Sequence, residues 1–321
     1  MRVLVLGGTR FVGREVARAA LSAGHEVSVF NPGSPEKETE GGLEELSERR
    51  ADLLRLRPEV VVHGIAPTEA QAAASVGFFK GSGAKVIVLS SQDVYAARTK
   101  HTLGLDGLDF PISEPPPAPP PPRRHVPGRL RPHDDAAEHV ILRLPRVYGP
   151  GDPLYALRHG AIVRRILDRR KAFPLGLCRQ GRLVTYGYVK NVAAAVVHAF
   201  GPGARAGRVY HIGEGQVRTQ RKWAELFARE AGWSFDFAAL PDELLPADPL
   251  GRRGPGAHLI CDCSSFCRDT GFQEPVPLQT SIQQTLEWGL KNPQVLGEAP
   301  DYGREDRLIA SYAELLGKLR G

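Results

Sequence analysis

The chain opens with MRVLVLGGTRFVGREVARAALSAGHEVSVFNPG, residues 1–33. An apolar run at 2–6 meets Gly7 and Gly8, apolar residues then recur at helical spacing over 11–23, and a second apolar run follows at 26–30. Strand, glycine turn, helix and strand in this order form a βαβ unit, with parallel strands and a right-handed crossover. The turn falls at the carboxyl edge of the sheet, where ligands of such folds sit. Gly7 permits the tight bend, Gly13 lets the helix pack closely on the sheet, and the helix N-terminus offers N–H groups and a positive dipole end to a pyrophosphate. The expected dinucleotide cradle is Gly7, Gly8, Thr9, Arg10, Phe11, Val12 and Gly13. Arg10 replaces the middle glycine of the usual pattern, either reaching over a phosphate or pointing to solvent.

Further along, apolar runs at 59–63, 84–90 and 139–143 alternate with amphipathic stretches at 43–55 and 68–81. Repeated alternation of this kind predicts an α/β fold, a Rossmann-type doubly wound parallel sheet. Beyond residue 150 the pattern turns mostly helical, at 155–170, 188–200, 219–231, 278–291 and 305–319, with a short strand at 208–211. Thr219 reads as an N-cap and Trp223 as an inward-facing side chain of the helix it opens. The expected organisation is a dinucleotide-binding domain over 1–150 and a smaller substrate or cap lobe over 151–321, intertwined with the first. A proline-rich insertion at 113–132 interrupts the first domain. It reads as an extended polyproline segment or a disordered one, serving as a recognition ligand or a solvated connector.

With 321 residues and 42% apolar content the chain can fill a large core. The net charge of +6 comes mostly from arginines that are scattered rather than run together, which does not single out nucleic acid as the partner. No stretch of about eighteen apolar residues occurs and the first strand leaves no room for a leader, so a cytoplasmic protein without a membrane span is expected. Of four cysteines, Cys261, Cys263 and Cys267 crowd together without a histidine pair, so reduced thiols and no metal are expected. After the second strand, Phe30-Asn31-Pro32-Gly33 lacks the acidic residue that would bond a ribose 2′-hydroxyl, which leaves NAD and NADP both open.

Five segments appear in order: GGTRFVG at 7–13, VLSSQDVY at 88–95, LRLPRVYGPGD at 142–152, TYGYVKNVAAAV at 185–196 and GRVYHIGEG at 207–215. Together they resemble the extended short-chain dehydrogenases/reductases, and among these the NAD-dependent epimerase/dehydratase family, including its atypical GGTRF members. The resemblance covers nearly the whole chain. It implies NAD or NADP as cofactor, a small-molecule substrate such as a nucleotide sugar, hydride transfer, and a homodimer through helices flanking the sheet. It also implies that Ser91 bonds the reacting oxygen, with Ser90 and Asp93 beside it and Tyr95 lining the cleft. Arg143, Tyr148 and Arg182 border the substrate, and Asp52 is the remaining acidic candidate on the adenine side.

Family members carry a tyrosine and a lysine four residues apart on the next helix, and between Val126 and Tyr148 this chain has neither. His133 to Glu138 spans only about 9 Å as a helix, too little for that element. Tyr186 and Lys190 have the spacing but lie after the YGPGD motif, where the pairing reads as coincidence. His133 is either a substitute acid/base oriented by Asp134 or Asp135, or an exposed loop histidine. Asn191 takes the place of an aspartate and is expected to act as an N-capping amide. Three functions remain open: a nucleotide-sugar enzyme, a non-catalytic NAD(P) sensor or partner-binding module, and an RNA-binding protein like the chloroplast stem-loop binders that share the GGTRF turn.

Overall fold

The computed structural model describes residues 1–31, 49–64, 73, 76–95, 138–246 and 258–320. His133, Asp134, Asp135 and the proline-rich insertion lie outside the described residues.

Valine, leucine and isoleucine dominate β1 (Arg2–Leu6), β3 (Val60–His63), β4 (Lys85–Ser91) and β5 (His139–Leu144), and these strands are buried along almost their whole length. Continuous apolar runs suit strands covered on both faces. β2 (Glu26–Phe30) buries only Phe30 and leaves Glu26 and Val29 exposed, as an edge strand does. All pair in parallel in the order Val209–His211, β5, β4, β3, β1, β2. The sixth strand comes from beyond residue 150, so the sheet is not completed within the expected first domain.

Successive side chains feed two cores. Val3, Val5, Val62, Ile87 and Leu142 meet α1 (Phe11–Ser22) through Val16, Ala17 and Ala20. Leu4, Leu6, Val61, Val86, Val88 and Ile141 meet Leu53, Val76 and Phe79 on the opposite face. Leu53 belongs to the short helix Arg50–Arg55, the described part of the stretch expected over 43–55. Gly24, in the left-handed region at φ 80°, ends α1 and turns the chain into β2.

After β5 the chain wraps a second body around Trp223. Its indole stacks on Tyr186 at 4.2 Å and meets the edge of Tyr148 at 4.9 Å. Trp223 sits on helix Gln220–Glu230, capped by Thr219, whose hydroxyl accepts from the Lys222 amide at 3.1 Å. The helix expected over 155–170 is split into a wide turn, Ala156–Gly160, and helix Ala161–Leu167. Helix Val189–His198 packs against α1, joining the two bodies. Asn191 does not cap that helix; its carboxamide donates to the Val276 carbonyl and accepts from the Val276 amide, both at 2.9 Å. The last helix, Tyr302–Arg320, buries no side chain and is tied on by Arg165–Glu305 and Arg170–Asp306 ion pairs. No described helix is long and apolar enough to cross a membrane.

Candidate functional site

The carboxyl ends of β1, β2 and β3 converge on the glycine turn. The Gly7 amide donates to the Phe30 carbonyl at 2.9 Å, and the Gly64 amide to the Leu6 carbonyl at 2.9 Å. Gly7 has φ 87°, the left-handed conformation a side chain disfavours. A Cβ on Gly13 would stand 2.0 Å from the Gly7 carbonyl oxygen, so only glycine lets the helix come down onto the turn. Phe11, a bulky residue, holds φ 30°, strain of the kind that concentrates at ligand-binding turns. With first-turn amides lacking intrahelical acceptors, the turn fits a diphosphate. Thr9 and Arg10 are exposed on its rim.

Asn31, one residue past β2, reaches back to the turn, its Nδ2 donating to the Thr9 hydroxyl. Its Oδ1 is buried with no hydrogen-bond partner among the described residues. Asp52 is exposed and paired with Arg55 at 3.2 Å within its own helix. Arg14 follows Gly13 in the first turn of α1, with Nη2 2.6 Å from where a Cβ on Gly151 would lie. The turn Gly149-Pro150-Gly151 thereby meets the cradle. Asp152 at its end is buried against Arg158 at 3.1 Å, and burial raises its carboxyl despite that cation.

A second group of side chains gathers where β4, β5 and Val209–His211 end. Ser90 is half-buried and Ser91 exposed, and the Ser91 hydroxyl accepts from the Asp93 amide at 3.0 Å, which starts the turn Gln92–Tyr95. Asp93 is exposed. The turn carries the Tyr95 hydroxyl inward, to 2.8 Å from Nε2 of His211. His211 Nδ1 lies 3.1 Å from the Asp262 carbonyl, which can only accept, so Nδ1 bears the ring proton and Nε2 accepts the hydrogen bond that the Tyr95 hydroxyl donates. Burial holds the His211 imidazole down at about 4, which keeps it neutral at pH 7. Arg143, also buried, donates to the same phenol oxygen and sets its guanidinium 4.9 Å from the Tyr95 ring centroid. Gln92 braces the turn from beneath, donating to the Ile212 carbonyl at 3.0 Å.

The remaining expected residues lie elsewhere. Tyr148 is fully buried and its hydroxyl is committed, donating to Glu214 at 2.7 Å and meeting Ser281 at 2.6 Å. Its hydroxyl ties together the interior of the second body. Arg182 is buried at the start of strand Leu183–Val184 beside His258, whose imidazole is lowered by burial first and by the Arg182 cation second. Tyr186 is locked against Trp223, and Lys190 donates to Gln284 at 2.9 Å, so the two make no catalytic pair. No three His, Cys, Asp or Glu side chains converge as metal ligands among the described residues. Arg14, Gln92 and His211 were not singled out from sequence. His211 stands inside the quoted GRVYHIGEG motif, and Arg14 directly follows the last glycine of the turn.

Solved structures share this architecture. Stenotrophomonas maltophilia UDP-glucose 4-epimerase, with bound NAD and formylated UDP-arabinopyranose, matches with TM-score 0.65 and 15% identity over 92% of this chain and 99% of its own. The chain has the fold of the NAD-dependent epimerases and dehydratases. RMD from Pseudomonas aeruginosa, complexed with NADPH, shares this epimerase/dehydratase fold with TM-score 0.60 and 17% identity, over 90% of this chain and 99% of its own. In sequence, a 2-alkyl-3-oxoalkanoate reductase of Stenotrophomonas maltophilia is 28% identical over 254 residues, 69% of this chain and 73% of that protein. No model of a known protein family matches the chain.

Proposed function

We propose that this chain binds NAD or NADP and catalyses hydride transfer at a hydroxyl-bearing carbon, acting on a nucleotide sugar. The observation that carries the reading is the cradle, where the Gly13 position tolerates no Cβ within 2.0 Å of the Gly7 carbonyl oxygen and the α1 amides face the convergence of three strand ends. The nucleotide-bound neighbours of like fold support it. When bound, the nicotinamide takes up the hydride as the carbinol carbon becomes a carbonyl. The chain's own part is to hold and to move a proton. The α1 amides and Arg10 grip the diphosphate, and Arg14 fixes the Gly149–Gly151 turn beside them. Ser91 hydrogen-bonds the reacting oxygen. Tyr95 exchanges the hydroxyl proton, in place of the missing tyrosine of the next helix. Arg143 stabilises negative charge on the phenol oxygen as the absent lysine would, and His211 orients the phenol. In this reading a nucleotide half over 1–150, completed by strand Val209–His211, is paired with a substrate half over 151–321.

A simple carbonyl reduction is the second reading, favoured by the 28% identical reductase. Calorimetric titration with NAD, NADH, NADP and NADPH, followed by absorbance at 340 nm with UDP-sugars and with 2-alkyl-3-oxoalkanoates, tests both. Micromolar cofactor binding with turnover of one substrate class is expected. Binding without turnover of either indicates a sensor. No binding of any dinucleotide, together with RNA affinity that falls steeply with salt, overturns the reading.

A further inference from the structure

A phenol that exchanges protons with a substrate must in turn exchange them with solvent, yet Tyr95 and His211 are both buried. Behind His211 lies a cavity of about 20 Å³, room for one water molecule. His211, Asn191, Cys263 and Glu274 line it, and of these only Glu274 is exposed. The cavity thus spans the distance from a buried imidazole to a carboxyl at the surface.

Glu274 is held at that place by its neighbours in the chain. Two residues on, the Val276 amide and carbonyl both bond the Asn191 carboxamide at 2.9 Å. Two residues back, Phe272 packs on Phe266 and His198, with ring centroids 5.6 and 5.5 Å apart. Among the described residues none hydrogen-bonds the Glu274 carboxyl. Although the residue is exposed, partial burial of its carboxyl first and the Glu214 carboxylate second raise it to about 7, with the Arg218 cation opposing. A carboxyl poised near neutrality both takes and gives a proton at pH 7. The Cys267 thiol on the same cavity is raised by burial and then by Glu274, so it keeps its proton and does not compete. Arg143 and Asp262 are the charged residues beside His211.

We infer that Glu274 is the solvent-side end of a proton path that runs from Tyr95 through His211 and one water in this cavity. The inference rests on the role proposed above for Tyr95. In the oxidising direction the substrate hydroxyl gives its proton to the phenol oxygen while the phenol's own proton passes to Nε2 of His211. The two electrons of the carbinol C–H bond leave with the hydride. The Nδ1 proton, whose bond to the Asp262 carbonyl is long at 3.1 Å, moves through the water to the Glu274 carboxylate and on to solvent. Reduction runs these steps backward and restores the starting tautomer. Glu274 touches no substrate and acts only through His211.

Exchange of the His211 Nδ1 proton with water, followed by NMR on the full chain with isotope-labelled histidine, tests the path without needing turnover. The resonance is assigned by its loss in His211→Gln. Glu274→Gln is expected to slow the exchange at least tenfold at pH 8, while Glu274→Asp stays within about threefold of the wild type and Tm is unchanged in both. In the wild type the rate should fall as pH drops through about 7, where the carboxylate takes up its proton, and this step should vanish in Glu274→Gln. Equal exchange in wild type and Glu274→Gln, or a pH step that survives the substitution, overturns the path. If UDP-sugars or 2-alkyl-3-oxoalkanoates are turned over all the same, the proposed function stands without it. Slowed exchange in a chain that turns over neither keeps the path and removes the proposed function.

Discussion

The two ends of one sheet edge are built differently. At the β1–β2–β3 end, the candidate site is made of backbone: amides, a carbonyl, and a glycine where a single extra carbon would collide. At the β4–β5 end it is made of side chains, with Tyr95 suspended between Arg143 and His211. Backbone geometry depends on a few glycines and on strand order, so it survives extensive sequence change. Side-chain chemistry depends on one atom per residue, and it can move from one element to another while the scaffold stays. The glycine-built first end and the side-chain-built second end thus differ in what a substitution can change.

Three perturbations break or sharpen this contrast. The largest effect is expected at the backbone end. Gly13→Val must push α1 off the turn, and dinucleotide affinity should fall at least about 100-fold, on the order of 3 kcal/mol or more. Wild-type affinity in that variant, read by calorimetry, would show that the close approach does not build the cradle.

Next comes the side-chain end. Tyr95→Phe removes one oxygen and is expected to lower turnover by about 10²–10⁴-fold, the usual contribution of a positioned acid or base. Cofactor affinity should stay put. A variant that keeps its rate, followed at 340 nm, would return the proton-transfer role to another group.

The smallest effect is on stability. His211 is neutral in the folded protein and held at about 4 by burial, against 6.5 for a free imidazole. Between pH 6.5 and 4 the unfolded chain carries the proton and the native one does not. Stability from this group is therefore complete above pH 6.5 and declines on acidification, by at most about 1.4 kcal/mol per pH unit. His211→Gln should flatten the fall in Tm between pH 6.5 and 4.5 by that share. Identical slopes in both proteins would mean that the imidazole takes up its proton in place.

Sequence patterning made the sheet legible because its strands are buried on both faces and leave unbroken apolar runs; five strands fall within a residue or two of their expected places. The glycine turn was legible for the same reason that it is robust: Gly7 and Gly13 report backbone requirements directly. The side-chain end was less so. Tyr148 and Tyr95 both close a V-Y pair, yet one points into the Trp223 core and the other toward His211, a difference set by tertiary packing. His211 carried no local signal, because its partner Tyr95 is distant in sequence and the two meet only once the sheet has formed.

The strand Val209–His211 lies alongside β5, where the Ile141 amide donates to the Arg208 carbonyl at 3.0 Å. During synthesis, β5 therefore leaves the ribosome with one row of its peptide groups exposed, and some seventy further residues must follow before that row is covered. His211 arrives on the same strand, so the step that closes the sheet is also the step that delivers the imidazole to Tyr95. The phenol thus meets its neighbour only once the sheet is complete.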